Sequence, residues 1–153
     1  MRKTFVIPVE GVIRKVTDGQ PIVQMVELIS SFAGENTFIY LTDEAANDTA
    51  DWLNLHGLGH TLVLGRDADR LMQLRRIQHE WGYNVDFVIE PDPEVVAKLV
   101  EHGYPVLAFF HPYYSKREWR PDYKFEVTPW DDIKEGIVKQ QAMRANDSRT
   151  RSE

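Results

Sequence analysis

The chain has 153 residues, 42% of them hydrophobic and 11% aromatic, enough apolar side chain to bury one continuous core. Its 18 Lys and Arg against 24 Asp and Glu give a net charge of −6, which excludes a generally basic nucleic-acid binder but permits a local basic patch. There is no cysteine, so disulfides, thiolate metal sites and cysteine nucleophiles are excluded, and a reducing compartment is expected.

The N-terminal MRKTFVIPVEG is too short an apolar run for a signal peptide. No run approaches the ~18 residues of a membrane span. The expectation is a soluble, cytoplasmic protein without a membrane partner. Thr4 to Val9 (TFVIPV) is rich in β-branched residues and reads as a buried strand. EGVIRKVTDGQP follows as a loop or small hairpin. From Pro21 the residues Ile22, Met25, Val26, Ile29 and Phe32 recur at helical spacing, and Gly34 marks the end. TFIYL (Thr37 to Leu41) is a second buried strand. Thr42 or Asp43 can cap the helix after it, and Gly57 can stop that helix.

The pattern then repeats. His60 to Gly65 reads as a strand, Asp67 to Trp81 as a helix, and Val85 to Ile89 as a strand. Asp92-Pro93-Glu94 combines a side-chain cap, Pro at the first helical position and an acid in the first turn; the helix ends at His102-Gly103. Tyr104 to Phe110 is the fifth strand, with Val6, Ile39, Val88 and Leu107 expected in the middle of buried strands. Beyond it the chain is aromatic and charged, with a short strand at Phe125 to Val127. Thr128-Pro129-Trp130-Asp131-Asp132 starts a helix running to about Met143. Residues 1–145 form one domain and 146–153 a polar, frayed tail. From Lys139 onward four basic residues stand against two acidic ones, +2, leaving −8 on the chain before. Five apolar strands alternating with helices predict an open parallel five-stranded α/β sheet with helices on both faces, plus a C-terminal helix.

Ligands of such sheets sit beyond the carboxyl ends of the strands. There the sequence places Pro8-Val9-Glu10-Gly11-Val12-Ile13, Leu41-Thr42-Asp43, Ile89-Glu90-Pro91-Asp92 and Phe110-His111. This layout resembles the haloacid dehalogenase-like superfamily. Within it the chain is similar to the 3′-phosphatase domain of bacteriophage polynucleotide kinase and related small phage phosphatases. FVIPVEGVI stands where that family has a strand followed by Asp-x-Asp-Gly, and LTDEAANDTADWLNLHGL resembles its Ser/Thr strand end and following helix. VDFVIEPDPEVVAKLVEHGYPVLAF resembles the Ile-Asp-Asp segment with its helix and last strand. The likeness covers about residues 4 to 112, and it implies a haloacid dehalogenase-like fold with the first strand central.

The resemblance also implies chemistry that the residues have lost. Pro8 stands at the nucleophile position and offers no side-chain oxygen. Glu10 stands at the acid/base position. Glu90 and Pro91 stand where paired acids help hold Mg²⁺. Leu71 falls at the phosphate-binding lysine, with Arg70 beside it, and Thr42 alone matches its motif. The expectation is a catalytically inactive, phosphatase-like domain with no cofactor, phage-encoded and working in the bacterial cytoplasm. It would bind a protein, a nucleotide or a nucleic-acid end. The alternative is a Mg²⁺-dependent phosphatase acting on nucleotides or nucleic-acid 3′ ends through a non-standard nucleophile. Glu10, Asp43, Glu90 and Asp92 are the candidate Mg²⁺ ligands; against that, Asp43 and Asp92 can simply cap helices and the glutamates can be solvated.

No second His lies at metal-ligand spacing from His111, so a zinc site is not expected. His111, Tyr113, Tyr114, Arg117, Trp119 and Arg120 are the candidate binding residues, in a segment that interleaves aromatics with cations as far as Lys124. Such side chains stack bases and neutralise phosphates, or form an interface hot spot; they can equally pack back on the sheet edge. Arg66, Arg70, Arg75 and Arg76 read most simply as a solvated helix face.

Overall fold

The computed structural model describes residues 2–65, 69–111 and 129–146. The strands are β1 (Thr4–Pro8), β2 (Thr37–Leu41), β3 (Leu62–Leu64), β4 (Phe87–Glu90) and β5 (Val106–Ala108). The helices are α1 (Val23–Phe32), α2 (Ala46–Leu55), α3 (Arg70–His79), α4 (Pro93–Glu101) and α5 (Pro129–Asn146). The sheet is parallel throughout, in the order β3-β2-β1-β4-β5, so β1 is central. Val6 stands opposite Ile39 on one side and Val88 on the other.

Alternation along the strands divides the core into two layers. Ile7, Phe38, Tyr40 and Ile89 face α1 and α2, where Met25, Ile29 and Leu53 meet them. Val6, Ile39, Leu41 and Val88 face the other way, against Leu71, Leu74 and Ile77 of α3 and Leu99 of α4. Both faces of the central strands are therefore dry, which is why their sequences are apolar at every position and not at every second one. Pro8 is compatible with a central strand because it is the last residue of β1. The ladder to β4 stops at the Val6–Val88 pair, so no bond from position 8 is lost.

Several local expectations are corrected. Neither Thr42 nor Asp43 caps α2: its N-cap is Ala45, without a side-chain cap bond. The Thr42 hydroxyl instead accepts from the Glu44 amide at 3.1 Å and is drawn into the site described below. Helix α1 starts at Val23, with Pro21 before the cap, where its neighbour Ile22 bonds back to Ile13. Leu107 is 48% exposed, not core. It lies on the edge strand, opposite Ile89 and so on the α1/α2 side of the sheet, where the described helices cover only the strands further over. The expected α4 start is as the structure has it, with Asp92 Oδ1 accepting from the Glu94 amide at 2.9 Å and Pro93 in the first turn. The expected strand at 125–127 lies outside the described residues. Among the described residues no helix is long and apolar enough to cross a membrane.

Candidate functional site at the carboxyl edge of the sheet

Immediately after β1 and Val9, Gly11 adopts φ +84°, a conformation costly for residues with a Cβ, and turns the chain back on itself. The amides of Ile13 and Arg14 both donate to the Val9 carbonyl, at 3.1 and 3.0 Å, which closes one helical turn. A hairpin follows, closed by the Lys15 amide on the Gln20 carbonyl at 2.8 Å. This turn carries Arg14 inward to 5% exposure, one turn beyond Glu10. Arg14 Nη2 donates to Glu10 Oε1 at 2.8 Å and lies 3.4 Å from Glu44 Oε2. The guanidinium carbon also sits 5.1 Å from the centroid of the Trp52 ring, within cation–π range.

Thr42, at the end of β2, completes this group. Its hydroxyl donates to Glu10 Oε1 at 2.7 Å and accepts from Thr49 Oγ1 at 3.0 Å, and the Asp43 amide donates to Glu10 Oε2 at 3.2 Å. The first group of rim residues is thus one hydrogen-bonded cluster built by β1, β2 and α2. Sequence reasoning found Glu10 and Thr42 but missed Arg14 and Thr49. The available signal was the Glu10/Arg14 spacing of four, which only a helical turn makes meaningful.

A second cluster forms one strand over. Glu90, the last residue of β4, is 1% exposed, and its Oε2 accepts from Arg70 Nε at 2.9 Å. Its Oε1 accepts from the Asp92 amide at 3.4 Å. Arg70 is further held by Gln73 Oε1 at 2.8 Å. Burial pushes the Glu90 carboxyl above the ordinary carboxylate range, opposed by the Arg70 charge and these donors. Arg70 is therefore not part of a solvated face; it lies in the first turn of α3, next to a cleft of about 230 Å³ between the starts of α3 and α4. Leu71, beside it, is packed in the core at 7% exposure.

The four candidate Mg²⁺ ligands are distributed over these two clusters. Asp43 is exposed and Asp92 caps α4. Among the described residues no three His, Asp or Glu side chains come together as a metal-holding group. The last strand is shorter than the expected Tyr104 to Phe110, and His111 lies three residues beyond its end at Ala108, half-buried, with its ring 6.3 Å from that of Phe109. Burial and the charge of Lys15 on the hairpin hold its pKa below the usual histidine value. Tyr113, Tyr114, Arg117, Trp119 and Arg120, like Arg66, lie outside the described residues. No protein-family model matches the chain, and no curated protein matches it.

Proposed function

We propose that this chain is a haloacid dehalogenase-like domain that has exchanged phosphatase chemistry for binding, with a protein, a nucleotide or a nucleic-acid end as its partner. The observation that carries the proposal is the state of the carboxylates at the strand ends. All four oxygens of Glu10 and Glu90 already accept an N–H or O–H from this chain, and each carboxylate has an arginine nitrogen within 2.9 Å. A carboxylate so neutralised is a poor ligand for Mg²⁺, which prefers oxygen ligands and its own waters. The residues present therefore do not fit a resident Mg²⁺, and no step is routed through one.

Pro8 supports the same reading. It is buried at the end of the central strand, where the family resemblance puts the attacking carboxylate, and it brings no nucleophilic atom. The central position of β1 agrees with that resemblance. Binding would fall to the rim around His111 and to the aromatic and basic residues that follow it in sequence.

Two measurements test this. Purified protein with Mg²⁺ should hydrolyse aryl phosphates and nucleotide monophosphates no faster than its Glu10→Ala variant. Turnover that disappears on changing Glu10 or Asp43 would refute the non-catalytic reading and favour the phosphatase. A Trp119→Ala, Arg120→Ala double variant should melt like wild type yet lose partners retained from host lysate. Unchanged retention would sink the assignment of that segment.

A further inference from the structure

The cleft of about 230 Å³ between the starts of α3 and α4 has a lining of two kinds. Its floor is apolar: Leu71, Leu99 and Val95, which belong to the core layer under these helices. Around the floor stand Asp69, Asp92 and Glu94 with Arg70 and Lys98, three carboxylates against two cations, a net −1. Both cations are already engaged. Arg70 Nε donates to Glu90 Oε2, and Lys98 Nζ lies 3.5 Å from Asp69 Oδ2. Glu94 is exposed and forms no ion pair among the described residues.

An anion would find few donors here. Each helix start spends an amide on its own cap, Met72 on Asp69 Oδ1 at 2.9 Å and Glu94 on Asp92 Oδ1 at 2.9 Å. Size narrows the ligand further. Clefts that enclose a drug-sized molecule run to about 300–1,000 Å³, so this one admits a smaller group, a chain of a few carbons. An apolar floor under an acidic mouth suits a group that is itself divided, an aliphatic stem ending in a cation. We propose that the α3/α4 cleft binds an alkylammonium or alkylguanidinium group, with its stem on Leu71, Val95 and Leu99 and its cation beside Glu94. That group is either a free amine or a lysine or arginine side chain of a protein. The aromatic and basic segment after His111 contributes nothing to this site, so the two binding proposals stand or fall separately.

n-Butylammonium titrated into the full chain should shift the backbone amide resonances of Leu71, Glu94 and Val95 saturably. Methylammonium carries the charge without the stem and should bind roughly tenfold more weakly or worse, since each buried methylene is worth about fourfold. Glu94→Gln should weaken n-butylammonium several-fold, and Lys98→Met, which removes a competing cation, should tighten it. Equal affinity for the two amines would overturn the proposal, and so would affinities unchanged in both variants. Shifts of these amides by inorganic phosphate and not by the amine would also overturn it. A peptide with one lysine separates the sources. Affinity well above that of n-butylammonium, abolished by acetylating the lysine, points to a protein side chain; no gain over n-butylammonium points to a free amine.

Discussion

Replacing Arg70 with Met removes the guanidinium and keeps much of the side-chain bulk. It deletes the 2.9 Å bond to Glu90 Oε2 and the 2.8 Å bond to Gln73 Oε1. Glu90 stays at 1% exposure with only the 3.4 Å bond from the Asp92 amide. Removing one partner of a buried ion pair costs about 3–5 kcal/mol, because the other charge is left without compensation. That is a large part of the ~5–15 kcal/mol of an ordinary domain, and it leaves the variant folded but weak. The cost depends on pH, with a definite sign. The Glu90 pKa in the folded protein lies above its unfolded value, so its contribution to stability is fully present below the unfolded pKa and is lost as pH rises through the folded one. Arg70 is the main opposing interaction, so its removal raises the folded pKa further and widens that window. Urea denaturation should therefore find Arg70→Met close to wild type in mild acid and increasingly unstable toward neutral pH. Replacing both residues, Arg70→Met with Glu90→Leu, should recover stability to within about 1 kcal/mol of wild type. A loss below about 1 kcal/mol at neutral pH, flat across the pH range, would show that the pair is not the buried, charge-compensated one described.

Other consequences are simpler. Ile39→Ala, in the fully buried middle of β2, should cost about 2–5 kcal/mol in a denaturant melt. Leu107→Ala should cost less than half as much, since Leu107 is 48% exposed; equal losses would contradict the uncovered edge. Tyr40 is fully buried, and its hydroxyl has no partner among the described residues, so Tyr40→Phe should raise stability by about 1 kcal/mol; destabilisation would mean the hydroxyl is bonded.

The layers of this fold were legible in the sequence because their cause is local. Runs such as TFIYL are apolar at every position, which a strand covered on both faces requires, and Asp92-Pro93-Glu94 contains a complete helix start. What the sequence hid depends on residues far apart in the chain. Leu107 looks like Ile39 until the strand order makes one an edge and the other internal. Arg70 looks like Arg75 until the register of α3 over β4 aims it at Glu90, 20 positions on. Thr42 looks like a cap because Thr before a helix usually is one. Here its oxygen accepts from the Glu44 amide, ahead of the helix, and its hydroxyl donates to Glu10, more than thirty residues earlier.

The direction of that donation decides how Thr42, the residue that matches the resemblance outright, is read. A hydroxyl donates one hydrogen bond and accepts two. The donation of Thr42 goes to Glu10 Oε1 at 2.7 Å, and its lone pairs face the Glu44 amide at 3.1 Å and Thr49 Oγ1 at 3.0 Å, with Arg14 Nη2 more distant at 3.4 Å. An anion needs donors, so the Thr42 hydroxyl can hold a phosphate only by abandoning Glu10. With Thr42 at 2% exposure there is little room for that exchange, and the residue is explained by structure alone. Thr42→Val keeps the shape and removes the hydroxyl, leaving the Glu44 amide and Thr49 without their acceptor. It should lose about 1–3 kcal/mol. Thr42→Ser keeps the hydroxyl and should recover most of that loss in the same urea melt. If Thr42→Val melts like wild type yet no longer binds inorganic phosphate that wild type binds, the hydroxyl serves a ligand and the non-catalytic reading of this rim loses its support.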